Sequence, residues 1–313
     1  MKKVTALLFA LAAIMLQTSC EKSELPFLMP NKPNGYVPPK ENGHGLSQDP
    51  DRSFGSDTLF LDRSTPNGFN GGCDLMPRDQ YDRLDKFPDA DANEQLPTSY
   101  TLPCPPVLSQ GGEGSCVAWG TVYSARSISW RIRYNQKSYS YSANLFSPEY
   151  IFNQIKNDAT NCYGAYVPNA MNLLMTQGVC RWSVMPYSST NGCSLQPGTV
   201  ERNDASYYRI TSWGTVTRSV ANFKNYLQSK KPIIVAGPVD ATYCSLGYNQ
   251  VITSYNSATW RGNHCYTVVG WDDRMQAFLV MNSWGTGWGT NGFGYISYNL
   301  MSTLFTEAYV LNG

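Results

Sequence analysis

The chain has 313 residues, of which 42% are hydrophobic and 15% charged. Its bulk is therefore a globular chain able to bury a core, and not a disordered one. The formal net charge is +1 with acids and bases interleaved, so neither a nucleic-acid-binding stripe nor an acidic tail is present. Two histidines and nine cysteines, with no C-x-x-C pair, argue against a structural zinc site, and no metal or other cofactor is expected.

Lys2 and Lys3 precede an apolar run from Val4 to Leu16. That run is too short to span a bilayer and reads as the hydrophobic part of an export signal over residues 1–20. Ser19-Cys20 at its end resembles a bacterial lipoprotein cleavage site, which would make Cys20 the lipidated first residue. Leu16 stands one position further upstream than usual, with Gln17 in its place, so ordinary signal cleavage is the alternative. The expected location is outside the cytoplasm, either membrane-anchored by acyl chains on Cys20 or secreted or periplasmic. Disulfides are permitted there. Setting aside Cys20 and Cys116 leaves seven cysteines, an odd number, so at least one stays unpaired.

Residues 21–97 are rich in Pro, Gly, Asn and Asp and poor in apolar periodicity. The stretch 21–55 reads as a tether. For 56–97, a loosely structured tether and a pro-segment that covers a site remain equal readings. His44 lies in this leader.

From residue 98 the pattern changes. Ala118, Val122, Ala125 and Ser129 form a stripe at helical spacing, which predicts a helix over Val117–Tyr134 with one buried face. Ser115 is placed to cap it, and Cys116 then sits in the first turn. A second helix is expected over Asn169–Gln177, with Ala170, Leu173, Leu174 and Gln177 on one face and Gly178 as its stop. A third is expected over Thr217–Lys230, with Val220, Phe223 and Leu227 inward. Strand signals follow at Ile233–Ala236, Tyr266–Trp271, Phe278–Met281 and Phe293–Tyr298. Helices first and strands later predict an α+β fold of two lobes.

Within that frame one thiol and one imidazole stand out. A thiol becomes a good nucleophile as the thiolate, which a helix N-terminus and a neighbouring imidazole both favour. Cys116 has the helix start, and His264, at a strand start, is the imidazole that can serve it. Taken alone, His264 reads as a structural core histidine, and Cys116 as a buried hydrophobe or a disulfide half. An amide oxygen can orient the imidazole, and Asn282 follows a strand where it can do so. Trp284 can cover the pair. The Cys116 N–H and the Gln110 amide can meet negative charge developing on an attacked carbonyl.

These stretches resemble the papain family of cysteine peptidases. Gln110-Gly-Gly-Glu-Gly-Ser-Cys116-Val-Ala-Trp119 is similar to its nucleophile segment, and Asn263-His264-Cys-Tyr-Thr-Val-Val-Gly270-Trp to its histidine strand. Asn282-Ser-Trp-Gly-Thr-Gly-Trp-Gly289 is the most specific match. The resemblance covers residues 98–313. It implies a helical left lobe bearing Cys116, a β-rich right lobe bearing His264 and Asn282, and a substrate cleft between them. It also implies substrate contacts at Gly164 and at the Asn263 carbonyl. The expected activity is thiol-dependent hydrolysis of peptide bonds through a thioester, on protein or peptide substrates, by a monomer that binds no nucleic acid.

There are departures from the family. Glu113 replaces a cysteine that usually bridges toward the Cys162 region. The resemblance then implies Cys162 paired with Cys193, with Cys180 as a rival. Val117 replaces a large aromatic, and Ala165 replaces a second glycine, which would narrow that subsite. Cys265 is expected to point away from the cleft by strand alternation. No long helical pro-segment of the usual type precedes residue 98. The rivals to peptide hydrolysis are a non-catalytic surface binding protein on the same fold and acyl transfer from the same site. Specificity, and endo- against exopeptidase action, are not legible.

Overall fold

The computed structural model describes residues 72–92, 95–189 and 193–313. The export signal, Cys20, His44 and the tether up to residue 71 lie outside the described residues. Among the described residues, no helix is long and apolar enough to cross a membrane.

The described chain begins extended at Gly72 and enters a short helix, α1 (Arg78–Tyr81), behind Pro77. Tyr81 is buried. Its hydroxyl donates to the Ala308 carbonyl at 3.3 Å and accepts from the Ala308 N–H at 3.0 Å. Further along, the Phe87 N–H donates to the Thr215 carbonyl at 2.9 Å. The segment 72–92 is thus packed on the body of the protein by bonds to residues more than a hundred positions away.

A strand β1 (Ser99–Thr101) leads to the central helical run. This comprises α2 (Cys116–Ala118), a π-helical stretch (Trp119–Arg126) and α3 (Ser127–Arg133). The stripe Ala118, Val122 and Ala125 is fully buried, but so is nearly every other residue from 116 to 128. One buried face was expected. The reason for the difference is position: the helix lies between two cores. Trp119, Tyr123 and Ile128 enter one core, and Cys116, Val117, Ala118, Val122 and Ala125 enter the other.

The helical lobe continues with α4 (Pro148–Ile155), α5 (Val167–Thr176) and α6 (Thr199–Ala205). The α4 helix starts on Ser147, whose hydroxyl accepts the Tyr150 N–H; its cap signal is Ser-Pro-Glu. The α5 helix starts two residues earlier than expected, because Pro168 in its first turn is compatible with helix there. Gly178 follows with φ +86°, where a Cβ would meet the Ala205 carbonyl oxygen at 2.0 Å. Among the described residues one disulfide, Cys162–Cys193, ties this lobe. Cys180, the rival partner, is buried with a free thiol, as are Cys73, Cys116 and Cys265.

The remaining elements are β2 (Ser212–Thr215), α7 (Val220–Gln228), β3 (Ile233–Asp240), α8 (Ala241–Cys244), β4 (Val251–Ile252), β5 (Trp260–Asp272), β6 (Ala277–Met281), β7 (Phe293–Ser297), α9 (Met301–Leu304) and β8 (Glu307–Asn312). They build an eight-stranded sheet in the order β2-β8-β3-β5-β6-β7-β4, with β1 added on β5. All pairings are antiparallel except β4 with β7. Alternation along β3 sends Ile233 and Val235 to one core and Ile234 and Ala236 to the other. Both faces of the central strands are therefore covered, which explains the continuous apolar run Ile233–Ala236. The outcome is an α+β, papain-like two-lobe fold that places the start of the central helix against β5.

Candidate active site

Cys116 opens the central helical run, and its neighbour Ser115 occupies the N-cap position without bonding the helix. The Ser115 hydroxyl instead meets the Tyr187 hydroxyl at 2.7 Å. Cys116 is fully buried, and burial pushes its thiol up to about 12. The N–H groups of Cys265, Gly72 and Val117, together with its own, face the sulfur and oppose that rise. The sulfur thus lies beside the residue that follows His264 on β5.

His264 Nε2 lies 2.8 Å from Asn282 Oδ1, an oxygen that also accepts the Ser283 N–H at 2.8 Å. The Trp284 ring stacks on the imidazole at 4.5 Å between centroids and 30° between planes. Tyr243 meets its edge at 5.9 Å. Burial lowers the His264 pKa to about 4, and the Asn282 bond opposes this. At neutral pH, then, thiol and imidazole are both uncharged in this state. Cys265 lies on the opposite face of β5 from His264, packs against Gly120 and is unbonded, as strand alternation requires.

Gln110 is tied on both sides. Its backbone N–H donates to the Ser283 carbonyl at 2.8 Å, and its Oε1 accepts from the Ser283 hydroxyl at 2.7 Å. Its Nε2 donates to the Glu113 carbonyl at 2.8 Å. The residue after Asn282 thereby fixes the residue six positions before Cys116. All four positions singled out in the sequence, Gln110, Cys116, His264 and Asn282, converge on one buried place with Trp284 as its cover.

Residues 72–76 run across this place. The Cys73 N–H donates to the Asn263 carbonyl at 3.4 Å, and the Asp74 N–H donates to the Ala165 carbonyl at 2.9 Å. The Asn157 side-chain amide donates to Asp74 Oδ2 at 2.6 Å. Gly164, at φ +77°, has Asp74 Oδ2 where its Cβ would stand, 2.7 Å away. The Met76 N–H donates to Glu307 Oε1 at 2.5 Å. A Cβ on Gly72 would meet the Gly114 backbone at 2.1 Å. Asn263, expected to hold substrate backbone, and Ala165, the neighbour of Gly164, here hold the chain's own segment.

Three contributors were not among the candidate site residues. Glu307, 1% exposed, has its carboxyl pushed up to about 7 by burial, with the Tyr309 hydroxyl and Met76 N–H opposing. Tyr187 and Glu113 belong to a polar cluster under the Gln110–Cys116 loop. Glu113 had a signal, since it stands where the resemblance called for cysteine. Glu307 lies on a short last strand that the periodicity did not mark.

Comparison with known proteins bears on the family and the fold. The profile described as papain family cysteine protease matches residues 97–310. The gamete and mating-type specific protein A of Dictyostelium discoideum is 29% identical over 200 residues, covering 63% of this chain and 40% of that protein. The cathepsin B-like CP2 of Giardia intestinalis is 26% identical over 231 residues, covering 69% of this chain and 71% of the relative. Several relatives are thus longer than the matched region: the chain spans 40% of the first and 63% of the cathepsin B-like CP3 of the same Giardia. Among solved structures, xylellain, a cysteine protease from Xylella fastidiosa, shares the fold at a TM-score of 0.65 with 22% identity, over 78% of this chain and 97% of that one. A procathepsin L2 from Tenebrio molitor does so at 0.62 with 21% identity, over 82% of each chain. The profile match spans most of the chain, and with it this protein belongs to the papain family of cysteine proteases.

Proposed function

We propose that this chain hydrolyses peptide bonds through a thioester on Cys116, and that residues 72–76 hold that site closed. The observation that carries the reading is the His264–Asn282 bond under Trp284, on the strand whose next residue faces the Cys116 sulfur.

With Nε2 engaged by Asn282, Nδ1 is the ring atom that exchanges a proton with the thiol. The thiolate attacks the substrate carbonyl, and the Cys116 N–H and Gln110 amide stabilise the oxyanion. His264 then protonates the leaving amine, a thioester remains, and water attacks it with His264 as base. Peptide or protein backbone would pair with the Ala165 and Asn263 carbonyls, the groups that residues 73 and 74 now occupy.

The segment is built as a block and not as a substrate, because what Gly72 presents to the sulfur is an N–H, which a thiolate cannot attack. Covering the site also explains the neutral resting pair: burial holds the thiol up and the imidazole down. Export, with acylation of Cys20 as its anchor, is proposed from the leader sequence.

The test is hydrolysis of a denatured protein by the full chain carrying Gly72→Ala, which displaces residues 72–76, with and without Cys116→Ala. Turnover that survives in Cys116→Ala, with the melting transition unmoved, refutes the nucleophile. Covalent capture of the Gly72→Ala chain by a thiolate-directed epoxide distinguishes an active site from an inert binding protein. Product masses with an added amine distinguish hydrolysis from acyl transfer.

A further inference from the structure

Beneath the nucleophile loop lies a polar cluster that the reaction as written does not use. The Tyr187 hydroxyl lies 2.5 Å from the Gln110 carbonyl oxygen, 2.7 Å from Ser115 Oγ and 3.2 Å from Glu113 Oε2. Three points of one seven-residue loop therefore meet at a single oxygen. Glu113 reaches the same loop a second time, because its carbonyl accepts the Gln110 side-chain amide at 2.8 Å. The Tyr187 ring is held edge-on by Trp119 at 5.0 Å and 77°. The family's usual covalent tie is missing here, since Glu113 stands in place of its cysteine and Cys162 is bonded to Cys193. A polar clamp takes over the fastening of this loop.

We infer that Tyr187, acting with Glu113, is a positioning residue that holds the Gln110 amide and the Cys116 N–H in register, and that a proton on Glu113 sets the clamp. This rests on the roles proposed above for Cys116 and Gln110. The argument is one of donors and acceptors. The Gln110 carbonyl can only accept, so the single Tyr187 proton goes there. Ser115 then donates to the Tyr187 oxygen. A protonated Glu113 also donates to that oxygen, and every donor among these three hydroxyl-type groups then has an acceptor. An ionised Glu113 is an acceptor only, and it competes with the Gln110 carbonyl for the one phenol proton.

The surroundings favour the proton. Glu113 is 5% exposed, and its Oε1 has no hydrogen-bond partner. The groups facing it are Tyr187, Glu149 of α4 and Lys156 just after α4. Burial first, then the Glu149 carboxylate, push the Glu113 carboxyl up to about 7, against the Tyr187 bond and Lys156. Glu149 is itself buried and taken up by Asn153 at 2.9 Å and by the Ser188 N–H at 3.3 Å. The clamp is thus complete below about pH 7 and contested above it.

The experiment uses the full chain carrying Gly72→Ala, which displaces the covering segment, with and without Tyr187→Phe or Glu113→Gln. Tyr187→Phe is expected to lower kcat about tenfold with KM within about twofold, the size of effect that a small misplacement of reacting groups produces. Glu113→Gln keeps a permanent amide donor to the phenol oxygen. It is expected to keep kcat at pH 6 and to lose the fall in kcat that the parent shows as pH rises through about 7. Iodoacetamide labelling of Cys116 across the same pH range gives a second readout that needs no turnover. An unchanged kcat in Tyr187→Phe, or a step near pH 7 that persists in Glu113→Gln in either readout, overturns the inference. If no variant hydrolyses peptide, the proposed function fails and the labelling step alone decides the clamp.

Discussion

The Asp74 N–H donates to the carbonyl of Ala165 at 2.9 Å, so a residue from the leader completes a backbone pair on the wall of the cleft. Beside it, the Cys73 N–H reaches the carbonyl of Asn263, the residue before His264. These are the two carbonyls proposed above to receive substrate backbone. Here they are satisfied from within the same molecule.

The first prediction concerns Gly72. A methyl group there would stand 2.1 Å from the Gly114 carbonyl carbon and oxygen, an overlap of backbone on backbone that no rotamer relieves. The segment is held by a few hydrogen bonds, each worth about 1 kcal/mol net, so it is the part that gives way. Gly72→Ala should raise the rate of Cys116 alkylation in the full chain by at least about tenfold, since one lost bond's worth of closure already approaches that factor. Quenched alkylation with mass mapping checks it. A rate equal to the parent's would mean that residues 72–76 do not guard the sulfur.

The second concerns pH and Glu307. Its carboxyl accepts the Met76 N–H in the closed state, and burial holds it at about 7 against an ordinary value of 4.5. Groups facing it include Tyr309 on its own strand, Arg218, Tyr81 and the sulfurs of Cys73 and Cys265. Opening exposes this carboxyl, and loss of the burial that raises its pKa should outweigh loss of the Met76 bond that lowers it, so the open state should release the proton more readily than the closed one. Closure is at full strength below about pH 4.5 and weakens as pH rises through about 7. The ratio of Cys116 alkylation rates at pH 8 and pH 6 should be larger in the parent than in Glu307→Gln, by up to about tenfold for a shift of this size. Comparing the two chains cancels the thiol's own titration. Equal ratios would remove Glu307 from the latch.

The third concerns Asn282. Its Oδ1 is the partner of His264 Nε2, and that bond raises an imidazole pKa that burial lowers. Asn282→Ala should therefore make His264 a poorer cation and leave its ring free to turn. In the Gly72→Ala background, kcat should fall about ten- to a hundredfold, as loss of an orienting partner does elsewhere. The pH at which Cys116 alkylation reaches half its maximum should move upward, because a less basic imidazole supports less thiolate. A downward move would contradict the assigned geometry.

How much of this could be read from residues alone follows from the range of the interactions. Cys116, His264 and Asn282 sit in local patterns of glycine, tryptophan and strand alternation, and the fold brings those patterns together. Ala118, Val122 and Ala125 announced the central helix because its period is local. They could not announce that Trp119 and Tyr123 would be buried on the other side, since that depends on a second core. The strand β8 was missed at the end of the chain, although Glu307–Asn312 pairs with both β2 and β3. A pro-segment covering the site was one of two open readings for residues 56–97, and the sequence could not choose between them for the same reason. Gly72-Cys73-Asp74 carries no periodicity, and its bonds run to residues 165 and 263, which no window of sequence contains.

The last prediction concerns the fastening of the two working elements to each other. Arg126 lies on the central helix that begins at Cys116 and is fully buried. Its Nη1 donates to the Gly313 carbonyl at 2.9 Å, and its Nη2 to the carbonyls of Tyr208 at 3.2 Å and Arg209 at 3.1 Å. The guanidinium also lies over the Trp130 ring at 4.9 Å. Burial lowers its pKa to about 10, which still leaves it charged at neutral pH, and carbonyl oxygens are the groups that meet that charge. Gly313 follows β8, the strand that carries Glu307, so this side chain pins the latch strand to the nucleophile helix. Arg126→Met keeps much of the apolar stem and removes the donors. It leaves three carbonyls, on the partly exposed Tyr208 and Gly313 and the exposed Arg209, without this partner, and should lower unfolding stability by about 1–3 kcal/mol. Urea unfolding followed by tryptophan fluorescence measures this. A change below about 0.5 kcal/mol, the range of an ordinary surface substitution, would mean that solvent reaches those carbonyls and that the end of β8 is held by its sheet bonds to β2.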